Sequence, residues 1–267
     1  MKTRLLFLLP VMLLLISCGK DDPTPEPEPA VTNCKILESV NPANGSTSTY
    51  HYDAQGRLIK LDWTYPNTTS GAEYRGLEYD ASGKLIKNVW SIPYMNLYYH
   101  LLYDYNSAGQ VVKLSINRKN AEGNFVPASY YIFEYANPQE LRQMRLYWIT
   151  ANGDVLQKTD DFFYENGLMK RVETKAKNEQ DNRVVTIEYD NKKKPSYGFQ
   201  AVFLMEYGFP FKHNITKYTT TDSKGQVIPG ESYEATYTYN PQDYPITATY
   251  KHQDNRTYGY TSTYSCK

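Results

Sequence analysis

The residues able to support acid–base, nucleophilic or metal chemistry are few and widely spaced. The histidines are His51, His100, His213 and His252. None of them has a second histidine or a carboxylate at the spacing of a metal-binding motif. Carboxylates are adjacent at 21–22 and 160–161, but neighbours in a strand point to opposite faces and cannot act on one bond. With no nucleophile elbow or phosphate-binding loop present, the sequence predicts a non-enzymatic protein without metal or cofactor.

Aspartate recurs beside the tight turns of the chain, at Asp53, Asp80, Asp104 and Asp190. Such a series could suggest calcium sites, because calcium prefers carboxylate oxygens. A single aspartate at the start of a turn, however, usually caps the backbone of its own turn. We therefore expect these residues to be structural.

Three tryptophans, Trp63, Trp90 and Trp148, are the candidate ligand-binding residues. Together with the many tyrosines they could form a stacking platform for sugar rings or an aromatic groove for a peptide. Cross-strand aromatic packing explains the same residues without a ligand. Exposed rings paired on one face would favour the binding interpretation.

The first residues carry the signature of a secreted protein. Lys2 and Arg4 precede an apolar run from Leu5 to Ile16, which has the length of a signal peptide rather than of a spanning helix. Residues 1–17 are therefore predicted to be removed.

The sequence Leu15-Ile16-Ser17-Cys18-Gly19 resembles the bacterial lipobox. That resemblance implies cleavage before Cys18 and lipidation of its sulfur and amine, with acyl chains such as palmitate. Residues 20–22, Lys-Asp-Asp, resemble the signal that sends lipoproteins of the Bacteroidetes to the outer face of the outer membrane. A polar start to a linker would give the same residues.

The segment 18–33 is predicted to be a lipidated linker. Proline occupies every second position from Pro23 to Pro29, which favours extended polyproline II and makes a semi-rigid spacer. The membrane contact predicted for this protein is through the lipid anchor alone.

Charge is balanced, with 29 basic and 29 acidic residues. This balance excludes the basic surface that nucleic-acid binding needs. The 27 tyrosines and the period-two alternation favour an all-β protein with a thin aromatic core.

A hairpin pattern repeats along the chain, first as Tyr50-His51-Tyr52-Asp53-Ala54-Gln55-Gly56-Arg57-Leu58-Ile59-Lys60. Two alternating tyrosines precede a turn with a glycine, and an apolar pair begins the returning strand. The second tyrosine of each copy is Tyr52, Tyr79, Tyr105, Tyr135, Tyr164, Tyr189 or Tyr239. The long final gap is interpreted as two periods with one degenerate copy inside.

The repeats predict a single domain at 34–267, an up-and-down antiparallel meander of about 14–16 strands curled into a barrel-like sheet. In the first copy, alternation places Ile59, Leu61 and Trp63 on the dry face, and Leu58 and Lys60 on the wet face. Residues 195–210 form the most apolar internal stretch and predict a short loop or helix insertion that covers the sheet.

Cys34 and Cys266 remain after removal of residues 1–17, almost at the two ends of the folded part. In an oxidising compartment such a pair favours a disulfide, although two unrelated thiols in terminal strands would look the same. Strand alternation places both thiols on the more apolar side of their strands. A bridge would join the first strand to the last and pin the seam of a barrel.

The repeated Tyr-x-Tyr-Asp-x-x-Gly hairpin resembles the tyrosine-aspartate repeats of shell-forming proteins. The lipobox, Pro/Glu linker and hairpins together resemble a family of Bacteroidetes envelope lipoproteins, a domain of unknown function with a porin-like fold. The resemblance departs where Pro241 and Asp243 replace the glycine-centred turn. It implies a fold and a location, and no catalytic residues.

The function expected from the sequence is that of an outer-membrane or cell-surface lipoprotein that binds an extracellular glycan or peptide. It would face the cell exterior, with the periplasmic face as the alternative location. The alternative function is a structural envelope component without a small-molecule site. Charged wet-face positions argue against a membrane-spanning porin, because each such charge on a lipid face costs up to ~2–4 kcal/mol.

Overall fold

The computed structural model describes residues 34–66, 73–195 and 211–266. Within these ranges the chain forms sixteen strands and three short 3-10 turns. The strands are β1 (Cys34–Val40), β2 (Thr47–Tyr52), β3 (Leu58–Thr64), β4 (Glu73–Tyr79), β5 (Leu85–Ile92), β6 (Leu97–Tyr105), β7 (Val111–Lys119), β8 (Phe125–Asn137), β9 (Glu140–Thr150), β10 (Gly153–Glu165), β11 (Leu168–Ala176), β12 (Arg183–Tyr189), β13 (Ile215–Thr221), β14 (Tyr233–Tyr239), β15 (Pro245–His252) and β16 (Thr257–Cys266). The 3-10 turns are Pro93–Met95, Glu179–Asp181 and Pro229–Glu231.

Each strand pairs antiparallel with its neighbours in sequence, and β1 pairs with β16 to close a sixteen-stranded barrel. The predicted all-β up-and-down meander is confirmed, and its strand count falls within the predicted range. Among the described residues, no helix has the length and apolar character needed to cross a bilayer. The predicted insertion at 195–210 lies, apart from its first residue, outside the described residues.

The interpretation of the long gap between Tyr189 and Tyr239 is wrong. Among the residues that the structure describes, no additional hairpin enters the sheet there, because β12 pairs directly with β13, and β13 with β14. The gap is one period, with the connection 190–214 between β12 and β13 added to it. A longer connection leaves the pairing of the strands unchanged. The number of residues between two repeat tyrosines therefore does not distinguish a long connection from an additional repeat.

The repeat turns have the geometry that their sequence predicts. In the first turn, the Gly56 amide donates to the Asp53 carbonyl at 2.9 Å, and Gly56 has a φ of 82°. The Asp53 carboxylate accepts from the Arg57 amide at 2.8 Å, and Asp80 accepts in the same way from the Lys84 amide at 2.9 Å. The expectation that these two aspartates cap their own turns is confirmed.

The last repeat turn keeps this geometry without glycine. Asp243 has a φ of 67°, and its amide donates to the Asn240 carbonyl at 3.0 Å. Aspartate is one of the few residues that tolerate this left-handed conformation. Its carboxylate lies 2.7 Å from the Lys192 ammonium, so the residue that departs from the repeat also ties two connections together.

A β-bulge follows every repeat turn and changes which side chains face inward. After the first turn, Leu58 pairs with Tyr52 and Lys60 pairs with His51, which leaves Ile59 as the extra residue. Leu58 is 1% exposed and Ile59 is 38% exposed. The predicted face assignment of these two residues is therefore wrong, because strict alternation takes no account of an inserted residue.

A tyrosine at or near the end of β2, β4, β6, β8, β12, β14 and β16 fills a gap in the ladder at this end of the barrel. The β5–β6 ladder stops at the pair Lys87 and Leu102, and beyond it the Tyr105 hydroxyl donates to the Leu85 carbonyl at 2.8 Å. The same bond, at 2.6 to 3.0 Å, is made by Tyr52, Tyr79, Tyr135, Tyr189, Tyr237 and Tyr264. The repeat thus requires tyrosine at this position, because a phenylalanine ring would fill the same space but could not donate the hydrogen bond.

Tyr105→Phe is expected to lower the free energy of unfolding by about 1 kcal/mol, because the Leu85 carbonyl loses its protein donor while the ring stays in place. Urea denaturation of the purified chain measures the change. Tyr147→Phe on the outer face is the control and should shift the midpoint far less. Equal shifts in the two variants would show that the hydroxyl contributes nothing particular at Tyr105.

The buried apolar residues face the inside of the barrel. Leu101 and Leu114 are fully buried and belong to one cluster that extends from β3 to β13. The outer face instead carries cross-strand ion pairs, including Lys87 with Glu78 at 2.9 Å and Lys175 with Asp161 at 3.0 Å. Ion pairs at these positions interrupt the continuous apolar band that the outer face of a membrane barrel carries.

The seam between the terminal strands is covalently closed. Cys34 pairs with Cys266 in the β1–β16 register, and their sulfurs form a disulfide. Cys34 and Ile36 share a buried face of β1, and Cys266 lies directly opposite Cys34, so both sulfurs point to the more apolar side of their strands although Cys266 itself is exposed. Cys266 ends the last strand, where little of the barrel remains to cover it.

Candidate functional site

Trp63 and Trp90 enclose a buried cation. The Arg75 guanidinium lies 4.5 Å from the Trp90 ring centroid and 5.6 Å from that of Trp63, and Arg75 is 0% exposed. The Trp90 indole N–H also donates to the Glu73 carboxylate at 2.8 Å. These contacts give both rings a structural role, as cation–π packing around a buried guanidinium.

Trp148 has a different environment. It lies near the end of β9 and is 55% exposed. It pairs with Ser129 on β8 and Val155 on β10. Residues 144, 146 and 148 share one face of β9, and Met144 on that face is buried in the core. The ring therefore stands on the inner face of the barrel but beyond its packed interior.

The inner face of β14 to β16 is a wall of tyrosines that sequence analysis did not single out. Tyr250 pairs with Ala235 on one side and with Tyr258 on the other, and both alanines of this face, Ala235 and Ala248, are buried. The seam wall, as we name it, consists of Tyr233, Ala235, Tyr237, Tyr239, Ala248, Tyr250, His252, Tyr258, Tyr260 and Ser262. It carries no aspartate, glutamate, lysine or arginine.

The rings of the seam wall form a continuous series of contacts with its neighbours. Tyr218 stacks on Tyr233 with centroids 5.3 Å apart, and Tyr233 meets Tyr250 edge to face, also at 5.3 Å. Tyr250 stacks on Tyr258 at 4.8 Å. Tyr258 ends the series at 43% exposure. An accessible ring is thus held in place by rings that are packed behind it.

The phenols of Tyr218, Tyr250 and Tyr258 stay neutral. Burial raises the pKa of Tyr218 to about 12, and burial also raises the pKa of Tyr250 and of Tyr258 above the ordinary value. Each hydroxyl therefore remains protonated near neutral pH and can both donate and accept a hydrogen bond. The wall offers ring faces and neutral hydroxyls together.

We use the term mouth for the inner-face positions Trp148, Tyr250, His252 and Tyr258. All four lie toward the end of the barrel opposite the repeat turns, where β9 ends, β15 ends and β16 begins. Residues deeper on the same faces, such as Met144 and Ala248, are buried. The mouth is therefore an accessible aromatic rim above a closed interior.

One carboxylate is buried on the inner face. Asp160 is 3% exposed, accepts from the Thr174 hydroxyl at 2.6 Å and lies 2.9 Å from the Lys158 ammonium. A carboxylate held by a lysine and a threonine is a polar anchor for the packing rather than a proton shuttle. In the described ranges, no three histidine, cysteine or acidic side chains come together as metal ligands would.

The histidines are distributed among unrelated contacts. His51 lies on the outer face, with its Nε2 2.9 Å from an Asp62 carboxylate oxygen. His100 stacks on Phe125, and His213 bonds to the Lys192 carbonyl through Nδ1 at 2.9 Å. His252, in the mouth, bonds to the Gly230 carbonyl at 3.1 Å. None of the four lies in a catalytic arrangement with the others.

Comparisons with known proteins support the architecture. A crystal structure of a porin-like protein from Bacteroides uniformis matches 88% of this chain and 98% of its own, with a TM-score of 0.56 and 15% identity. The fold is porin-like. The structure of TcdB2-TccC3-Cdc42 matches 84% of this chain and 13% of its own at 12% identity, and its TM-score of 0.34 is too low to support an argument. No family model and no curated protein match the sequence.

The porin-like fold that the family resemblance implies is thus confirmed as a fold. The tryptophans that the sequence brought forward do not form one site, since Trp63 and Trp90 pack around Arg75 while Trp148 stands at the mouth. The signal for the seam wall was present in the alternating tyrosines of 233–264. It was indistinguishable from the alternation of every other strand, because exposure depends on what covers a face.

Proposed function

We propose that this chain is a non-enzymatic lipoprotein of the outer membrane that binds a neutral extracellular glycan at the mouth of the barrel. In this proposal residues 1–17 are the signal peptide, Cys18 is lipidated, residues 18–33 are the linker and residues 34–267 are the binding domain. The protein faces the cell exterior. The sequence after Ser17 and the porin-like fold support this location.

The charged outer face supports a barrel that is tethered to the membrane rather than inserted in it. Lys87, Glu78, Lys175 and Asp161 form ion pairs where a membrane barrel would present its apolar band. A lipidated cysteine supplies the attachment instead, at ~0.8 kcal/mol for each buried methylene of its acyl chains.

The chain that begins at residue 34 is expected to remain in solution without detergent, and full-length protein carrying Cys18→Ser is expected to leave the membrane fraction. Ultracentrifugation of membranes and mass measurement of the mature N-terminus test both results. Detergent-dependent solubility of residues 34–267, with ion conduction in planar bilayers, would instead show an inserted barrel.

The observation that carries the binding proposal is the exposed Tyr258 ring, stacked on Tyr250 in a wall without aspartate, glutamate, lysine or arginine. Pyranose rings present apolar C–H faces that stack on aromatic rings, and hydroxyl groups that match phenols. A charged polymer would be desolvated against this wall with no opposite charge to compensate. Neutral sugars fit both properties of the wall.

Tyr258→Ala is expected to weaken glycan binding at least about 10-fold, because an exposed stacking ring is the contact that truncation removes most completely. A glycan array identifies the binder, and calorimetric titration measures the affinity. Tyr94→Ala is the matched control, since Tyr94 is 42% exposed but lies in the 3-10 turn after β5, away from the seam wall.

Four results are informative. Loss in Tyr258→Ala alone supports the proposal, and binding of peptides in place of sugars would keep the mouth but change its ligand. Silence across glycan and peptide arrays, with no partner that co-purifies, would favour the structural envelope component. Unchanged glycan affinity in Tyr258→Ala would place the binding surface elsewhere.

A further inference from the structure

Trp148 is the largest accessible ring on the inner face and takes no part in the packing of the other two tryptophans. Trp90 packs against Tyr99 with tilted rings whose centroids are 5.5 Å apart, and it donates its N–H to Glu73. Trp148, by contrast, stacks on no other ring and donates to no protein acceptor among the described residues, and it is 55% exposed. A ring of this size left open to solvent on an inner face is available to a ligand.

Trp148 and Tyr258 stand at the same end of the barrel and on nearly opposite sides of it. Six strands, β10 to β15, separate β9 from β16 in one direction, and eight strands, β1 to β8, separate them in the other. Both residues lie close to the ends of their strands, β9 (Glu140–Thr150) and β16 (Thr257–Cys266). The mouth therefore has an accessible ring on each of two facing sides.

Each ring stands on a wall that holds it in position. Trp148 lies four residues beyond the buried Met144, about 13 Å further along the strand. Tyr258 lies over the packed series of Tyr250 and Tyr233. Trp148 is paired with Ser129 and Val155 on its two sides, and Tyr258 is paired with Tyr250 on β15, so neither ring is carried by a loop. Rings fixed on a sheet are preorganised for stacking.

We infer that the mouth holds a neutral oligosaccharide chain across the barrel, with Tyr258 stacking on one part of the chain and Trp148 on another. This inference rests on the proposed glycan function and adds the size of its ligand. A single sugar covers one ring only, so it gains from Tyr258 or Trp148 but not from both. An extended chain contacts both rings and gains from each without a second binding event.

The test uses full-length lipidated protein in detergent and neutral β-glucan, mannan and xylan oligosaccharides from disaccharide to hexasaccharide. Trp148→Ala is expected to weaken hexasaccharide binding at least about 10-fold and to leave disaccharide binding unchanged. Tyr258→Ala weakens binding at every length. Trp148→Phe, which keeps a stacking ring, recovers part of the hexasaccharide affinity.

Leu156→Ala is the matched control. Leu156 is 43% exposed and lies on the same hairpin, but it pairs with Tyr147 on the outer face. The Leu156→Ala variant should bind every oligosaccharide with the affinity of the unchanged protein. Tryptophan emission gives a second readout, since the hexasaccharide should shift the spectrum of the unchanged protein and of Leu156→Ala, but not that of Trp148→Ala.

Equal hexasaccharide affinity in Trp148→Ala and the unchanged protein would overturn the two-sided mouth and leave glycan binding at the seam wall intact. Equal losses in Trp148→Ala and Leu156→Ala would overturn it too, since the effect would then belong to the hairpin and not to the inner ring. Absence of binding by every oligosaccharide to the unchanged protein would overturn the proposed function, and this inference with it.

Discussion

Replacing Cys34 and Cys266 with alanine is expected to lower the free energy of unfolding by about 5 kcal/mol, the largest loss from any single contact of the barrel. The bridge joins residues 232 positions apart and lies between the first and last strands. It therefore restricts nearly the whole unfolded chain. Loop-closure entropy grows with the logarithm of loop length, so few disulfides in a domain of this size could restrict more.

The position of the bridge adds a reason specific to this fold. Most neighbouring strands are joined by a short connection, but β1 and β16 are not consecutive in the chain, and the disulfide is the covalent link across their ladder. The ladder itself is interrupted between Ile36 and Glu38, where the register shifts. Without the bridge, the terminal strands can separate at the end that carries Cys34 and Cys266.

Guanidinium unfolding of the oxidised chain, the reduced chain and the Cys34→Ala/Cys266→Ala variant measures the loss. The reduced chain and the double variant should agree with each other, because both lack the same link. Ser39→Ala, which removes the hydroxyl contact of 2.8 Å with Ser262 across the same seam, is the control and should cost about 1 kcal/mol.

Two results would contradict this expectation. A fall of less than about 1 kcal/mol on reduction would show that the ladder alone closes the barrel. Alkylation of both thiols without reductant, in protein prepared from an oxidising compartment, would show that the bridge does not form there. The first result leaves the closed barrel in place and the second removes its covalent link.

The sequence was sufficient to predict the architecture, because the repeat states the strand, the turn and the next strand in a single pattern. Tyr50, Tyr52 and Gly56 predict a hairpin locally, and recurrence of that hairpin leaves an antiparallel meander as the simplest product. Even the turn at Asp243, where the pattern departs, keeps the hydrogen bonds of the others. The sequence therefore predicts local geometry correctly wherever short-range contacts determine that geometry.

The faces of the strands and the candidate site were less accessible to prediction. A bulge shifts the register by one residue, and nothing in the alternation of Leu58 to Trp63 marks where the extra residue lies. Exposure at Tyr258 and Trp148 depends on which strands stand opposite them after closure. The strand register and the exposure of a side chain both depend on contacts between residues far apart in sequence. The pattern within one strand contains information only about residues close in sequence.

Leu58→Ala is expected to lower the free energy of unfolding by about 3 kcal/mol, whereas Ile59→Ala should change it by less than about 1 kcal/mol. The two residues are adjacent and similar in volume, so the bulge alone separates their environments. Leu58 is 1% exposed within the core cluster, and Ile59 is the unpaired bulge residue at 38% exposure. Truncation leaves a cavity only at Leu58.

The next repeat provides an independent copy of this comparison, because Leu85 is 4% exposed and Ile86, its bulge residue, is 41% exposed. Urea unfolding followed by tryptophan emission should give Leu58→Ala and Leu85→Ala similar free energies of unfolding. Both values should be well below those of Ile59→Ala and Ile86→Ala. If the isoleucine variants were the more damaged in both repeats, strict alternation would hold and the bulges would be absent in solution. The inner face would then consist of other residues, and the seam wall, which follows the same bulge after Pro245, would have to be reassigned as well.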